Sequence, residues 1–296
     1  METSQPLIAW PKPIIEYVGF IASFLATGAI GFHFGVLRRL MRSTKVEQDW
    51  KPVLDRAARR ASSWGLAGAT LSLARMAYTI PEAAARRHLE PGAYVAANPL
   101  VALQVALALA AAVGFALARR VSFGWTLAAI GVIVSPLRGL FSGQWVRVVN
   151  PVHELAGGLW IGTLFVMLAA GFATVFQSPL ATERRGALLA RCVNAFSPMA
   201  LGASGLLATF GVITAVRHLK QVENLWRTPY GNTFLVKLAL VGVVVALGAW
   251  NWRRQKPRMG GEEAARALVR SARTEVAVVA VVLAITAVLV SLPDPR

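Results

Sequence analysis

Residues 149–165 read VNPVHELAGGLWIGTLF. A proline turn leads at once into His153 and Glu154, and from there to Phe176 the chain is almost wholly apolar. A helix rises about 1.5 Å per residue, so roughly twenty apolar residues cross the ~30 Å hydrocarbon core of a bilayer. The run is long enough to span a membrane, yet it opens on an imidazole and a carboxylate. Ionisable groups are costly in lipid and face a bundle interior or a water-filled cavity. The two residues therefore mark a polar site near one membrane face.

The rest of the chain has the same character. Of its 296 residues, 56% are hydrophobic and 15% charged, against roughly 25% charged in a soluble domain. The apolar residues come in blocks that define eight spans: Pro13–Leu37, Ala61–Ile80, Pro99–Ala118, Ser122–Phe141, Pro151–Phe176, Val193–Arg217, Asn232–Trp252 and Thr274–Leu292. The expected fold is all-α, a polytopic membrane helix bundle of about eight transmembrane helices, with a four-helix N-terminal half (1–148) and a four-helix C-terminal half (149–296). Soluble-enzyme readings are excluded, and no nucleophile–base arrangement points to hydrolysis.

A net charge of +17 would suggest nucleic acid on a soluble chain. Here it has a simpler source, because Lys and Arg collect in cytoplasmic loops. Segment 38–60 carries eight of them, and 119–120, 183–191 and 253–273 together carry twelve. This bias predicts that both termini lie outside the cytoplasm. Segments 38–60 and 253–273 read as solvated linkers that touch anionic headgroups, or as amphipathic surface helices. The N-terminus lacks a basic n-region and a cleavage site, and reads as a short tail before an uncleaved span. The lone Cys192 excludes an internal disulfide and a cysteine metal cluster.

With that topology, most ionisable groups within or bordering the spans fall in the outer leaflet: Glu16, Arg75, Arg138, His153, Glu154, His218 and Lys237. Arg138 suits snorkelling to headgroups, whereas Lys237 lies deeper and calls for an internal partner, with Glu16 or Glu154 as candidates. From His153 to Pro179 is 26 residues, and from Cys192 to His218 is again 26. Spans five and six form an antiparallel hairpin, so the two histidines are expected at matched depth. Imidazole is the commonest metal ligand and suits copper and zinc. Glu154 lies about 100° round the helix from His153, so it supports the site from outside or points to another helix. His88, in an outer loop, and Met76 are further candidate ligands. His33, between glycines, reads as a packing residue at the far end. Gly157, Gly158, Gly162, Gly202, Gly205 and Gly211 would let spans five and six approach closely.

These residues carry a family likeness. HELAGGLWIGTLF, then FSPMALGASGLLATFGVITAVRHL, TPYGNTFLVKLALVGVVVALGAWNWRRQKP and RTEVAVVAVVLAITAVLVSLPDP resemble, in order and spacing, the copper resistance protein D (CopD) family. The likeness covers roughly residues 150–296. It implies an inner-membrane protein of a bacterial cell that moves copper toward the cytoplasm, with a small periplasmic copper-binding protein of the CopC type as partner. The family's histidine falls on His153, followed by Trp160 and Gly162; its Tyr-Gly, Lys and Asn fall on Tyr230, Gly231, Lys237 and Asn251. Three features depart from the family: a fused periplasmic domain is not expected, Trp252 stands where an Arg is usual, and a Met- or His-rich outer loop is missing.

Three functions compete. The first is copper uptake, with Cu+ or Cu2+ received by His153 and His218 and assisted by Glu154, Met76 or His88. Trp160, Lys237, Arg75, Glu16, Tyr230 and Asn251 would support that site. The second is a b-type haem electron-transfer protein, because two histidines on adjacent helices can ligate iron axially. The third is a non-transporting copper-delivery or assembly factor.

Overall fold

Proline sets many of the helix starts. It lacks the N–H that the first helical turn leaves unused, and its fixed φ suits that turn. Helices α1 (Lys12–Gly31), α3 (Lys51–Ala85), α4 (Pro91–Ala97), α5 (Pro99–Ala118) and α12 (Pro229–Trp250) all begin at or one residue before a proline. The computed structural model describes residues 10–42, 48–138, 140, 145–251, 253 and 262–293. The remaining helices are α2 (Arg38–Arg42), α6 (Phe123–Leu137), α7 (Val149–Gly157), α8 (Thr163–Val166), α9 (Ala173–Phe176), α10 (Thr182–Leu219), α11 (Asn224–Arg227) and α13 (Glu262–Leu289). No strand occurs among the described residues.

Two of the long helices are wound irregularly. A π-helical segment, Phe32–Leu37, joins α1 to α2 into one helix, Lys12–Arg42. Two more, Gly158–Gly162 and Met167–Phe172, join α7, α8 and α9 into Val149–Phe176. Short π-bulges inside α-helices frequently mark functional sites.

Among the described residues, six helices are long and apolar enough to cross a membrane: Lys12–Arg42, Pro99–Ala118, Val149–Phe176, Thr182–Leu219, Pro229–Trp250 and Arg266–Leu289. The other two expected spans also fold as helices. α6 is apolar but has only 15 residues, and the 35-residue α3 contains Arg56, Arg59, Arg60 and Arg75. The expected span ends at Phe141 and Trp252 lie outside the described residues. The chain is thus an all-α polytopic bundle.

The linker reading of segment 38–60 needs correction. Arg38–Arg42 continues the first long helix, and Lys51 already begins α3. Trp50, Val53, Leu54 and Ala57 are buried, because they form an apolar stripe facing the core. The Arg191 guanidinium covers the Trp50 ring at 4.8 Å, and Arg184 pairs with Asp49. Likewise, the second half of segment 253–273 is helical from Glu262 onward.

Lys12–Arg42 and Val149–Phe176 are the most enclosed of the candidate spans. They touch backbone to backbone: a Cβ on Gly28 would strike the Gly162 carbonyl, and one on Gly162 would strike the Phe24 carbonyl. Gly158 admits Thr27, and Gly31 admits Thr163. Small residues provide this close approach where lipid supplies no hydrophobic drive between helices. α5 and α6 form a second close pair through Gly114, Gly124 and Gly131. Not every glycine in the fifth and sixth spans shares this role, since Gly202 and Gly205 face open space. Packing crosses the 148/149 boundary, because the most enclosed helix of each half lies against the other.

The contrast gives a test. Gly162→Leu forces the Phe24 and Gly28 backbones apart and should cost at least the ~1–3 kcal/mol of an overpacked core. Gly202→Leu, with nothing within 4 Å of its added Cβ, should leave thermal unfolding in detergent unchanged. Equal melting temperatures for the two variants would contradict the packing described.

Candidate functional site

The polar end of the bundle is assembled from four helices. Arg75 of α3 reaches across Gly19 of α1, where an added Cβ would lie 2.9 Å from Arg75 Nε. That space lets Arg75 Nη2 meet Glu16 Oε2 at 3.0 Å, with both side chains less than a third exposed. Glu154 of α7 turns to the same place: it accepts a hydrogen bond from Ser23 of α1 and feels the charges of Arg75, Glu16 and Arg138. Arg138, at the end of α6, donates to the Ser135 carbonyl at 2.7 Å. The Arg75–Glu16 pair offsets much of the cost of placing charge in lipid, and the Glu154 carboxyl and Arg138 lie beside it. Glu154 therefore points to other helices and joins an ion cluster.

His153 faces the other way, onto α10. Its ring fills the notch left by Gly211, with Cε1 3.0 Å from where a Cβ would be. Its Nδ1 lies 2.9 Å from the Leu207 carbonyl oxygen. A carbonyl only accepts, so Nδ1 carries a proton, and in the neutral ring Nε2 keeps its lone pair. Metal-binding imidazoles are oriented by this kind of bond.

The expected depth match between His153 and His218 is not found. Thr214 Oγ1 donates to Asn150 Oδ1 at 2.8 Å, and together with the Leu207 contact this fixes the register of α7 against α10. His153 lies level with Leu207–Gly211, so His218, seven residues past Gly211, is about 10 Å farther along the helix. Counting to the turn missed this because the two legs meet the turn differently: α9 stops at Phe176, whereas α10 begins as early as Thr182. His218 instead stacks on Tyr230 of α12, with ring centroids 6.0 Å apart. Two axial haem ligands must bring their nitrogens within about 4 Å, two ~2 Å bonds, and this register does not favour that pairing.

Lys237 also departs from expectation. Glu16 is taken by Arg75, and neither Glu16 nor Glu154 is in ion-pair range of Lys237 among the described residues. Its charge acts on His153 instead. His88 is exposed at φ 55°, where it ends α3: the Leu89 N–H bonds to Ala84 O and the His88 N–H to Ala85 O. This is a Schellman cap, which accounts for His88 structurally. Met76 is half-buried on α3 beside Arg75. His33 stacks on Trp125 at 4.0 Å, in keeping with a packing role.

The remaining candidates divide between two places. Tyr230 and Gly231 belong to a turn in which the Thr228 hydroxyl accepts the Gly231 N–H at 3.0 Å. Gly231 lies so close to the Asn224 and Leu225 carbonyls that no side chain fits. Trp160 and Asn251 lie elsewhere, around Glu275 of α13. Asn251 Nδ2 donates to Glu275 Oε2 at 3.2 Å, and Gly248 separates Glu275 from Trp160. Sequence reasoning missed Glu275, Ser23 and the Leu207 carbonyl. Glu275 was visible as a lone carboxylate entering the last apolar run; a single serine or a backbone oxygen leaves no such mark.

Comparison with known proteins supports the likeness over part of the chain. Residues 190–289 match the family model described as CopD: Copper resistance protein D. The chain is also similar to the "Copper transport protein CutJ" of Bacillus subtilis (strain 168), at 28% identity over 146 residues. That match takes in 49% of this chain and 25% of the relative's length. No solved structure matches significantly. The chain is therefore a multi-pass helical membrane protein in which residues 190–289 match the CopD family model.

The ion cluster predicts a measurable coupling. Arg75→Gln leaves the Glu16 carboxylate without its counter-ion, and Glu16→Gln removes that carboxylate. A double-mutant cycle on detergent stability should return a favourable coupling of about 1–3 kcal/mol. Additive effects would show that the pair contributes nothing.

Proposed function

We propose that this protein moves copper across a bacterial inner membrane, receiving the ion at Nε2 of His153 on the periplasmic side. The observation that carries this reading is the Nδ1 contact with Leu207, which holds the ring as a one-sided ligand. The CopD-family region and the copper-transport relative supply the choice of metal. Orientation rests on the Lys and Arg bias toward the opposite loops.

Among the described residues, no three His, Cys, Asp or Glu side chains gather into a metal cage. That suits cargo, which must bind well enough to enter and loosely enough to leave. The Lys237 charge beside His153 works in the same direction, since it opposes a long stay by a cation. A periplasmic copper-binding protein of the CopC type would hand over the ion and complete its coordination during transfer. The gap between His153 and His218 leaves His218 as a structural partner of Tyr230.

Copper uptake into proteoliposomes, with metal binding measured on the same samples, tests this. His153→Ala should lower affinity by at least the roughly 10–100-fold that loss of an orienting partner costs, and uptake with it. His218→Ala should keep wild-type binding. Undiminished uptake by His153→Ala would overturn the assignment, and binding without uptake in the wild type would favour a delivery factor.

A further inference from the structure

Glu275 is 3% exposed and lies within the apolar Arg266–Leu289 span. Its only polar contact among the described residues is Asn251 Nδ2. Asn251 is itself 9% exposed, and its Oδ1 is buried without a hydrogen-bond partner. The pair thus presents a carboxyl group and an orphaned amide oxygen side by side, with more acceptors than donors. A buried acceptor left unpaired costs about 1–3 kcal/mol, and an ionised carboxylate without a counter-ion costs several more.

Among the described residues, no charge on the surrounding elements offsets this. On α13 itself Arg270 and Arg273 are exposed, as is Arg253 beyond Asn251. Tyr17 of α1 packs against the apolar cluster that includes Val279, and Cys192 of α10 shares a cluster with Val269 and Ala272. From Val149–Phe176 comes the uncharged Trp160. None of these acts on Glu275 as a charge partner.

One small species satisfies both groups at once. We propose that Glu275 and Asn251 form a proton-binding site, in which Glu275 is a carboxylic acid whose O–H is shared with the Asn251 amide oxygen. An acid and an amide fit together in this way, the amide N–H going to one carboxyl oxygen and the acid O–H to the amide oxygen. Releasing the proton breaks the O–H contact and leaves an uncompensated charge between α12, α13 and the Trp160 segment. Protonation thereby sets how these helices pack, and the proton is the ion exchanged against copper. The exchange rests on the transport reading above, whereas the protonated pair does not.

Infrared difference spectra of the full-length protein in liposomes separate the two. The carboxylic-acid C=O band should be present at neutral pH, vanish in Glu275→Gln and shift in Asn251→Leu, with or without copper. Asn251→Leu keeps the test open should Glu275→Gln fail to fold. Copper uptake should depend on an imposed pH gradient in the wild type and lose that dependence in Glu275→Gln, while copper binding at His153 persists. An ionised Glu275 at neutral pH, or a band that responds to sodium in place of protons, would overturn the proposal. A protonated Glu275 with pH-independent uptake would retain the site and refute the exchange.

Discussion

Everything in this fold depends on two helices coming close enough for their backbones to touch. Gly28 and Gly162 have no side chains, so Lys12–Arg42 and Val149–Phe176 meet main chain to main chain. In lipid, apolar side chains gain little by leaving the solvent, and close packing supplies the attraction. From that contact the polar groups follow. α7 is held so that Glu154 faces α1 and α3, while His153, about 100° round the helix, faces α10.

The cost of charge in a membrane explains how the ionisable residues are distributed. Arg75 and Glu16 form an ion pair, with Glu154 and Arg138 gathered beside it from two further helices. Glu275 has no such partner among the described residues and is paired with an amide. His153 takes a backbone carbonyl on one nitrogen, which leaves the other for a ligand. The residues on which the resemblance to the CopD family was drawn thus belong to separate places: His153 with Lys237, the Tyr230–Gly231 turn beside His218, and Trp160 with Asn251 around Glu275.

Much of this was legible in the sequence, and the rest was hidden for physical reasons. Block hydropathy and proline starts revealed the helices, because both act locally along the chain. The charge cluster was visible as outer-leaflet ionisable groups, but its pairing was not: Lys237 was expected to meet Glu16 or Glu154, and Arg75 takes Glu16. The depth of His218 was misjudged because equal residue counts do not fix register when one helix starts early and the other carries π-helical turns. Segment 38–60 looked like a linker because its eight basic residues mask a buried stripe led by Trp50. Asn251 was picked out by family likeness alone, and only the fold revealed Glu275 as its partner.

The central claim is that a single imidazole, oriented by a backbone carbonyl, receives the copper. X-ray absorption at the copper edge of metal-loaded protein measures this directly. The account predicts the scattering signature of one imidazole at about 2 Å, present in the wild type and in His218→Ala but lost in His153→Gln. A two-imidazole signature that needs both histidines, or one without any imidazole, would contradict it.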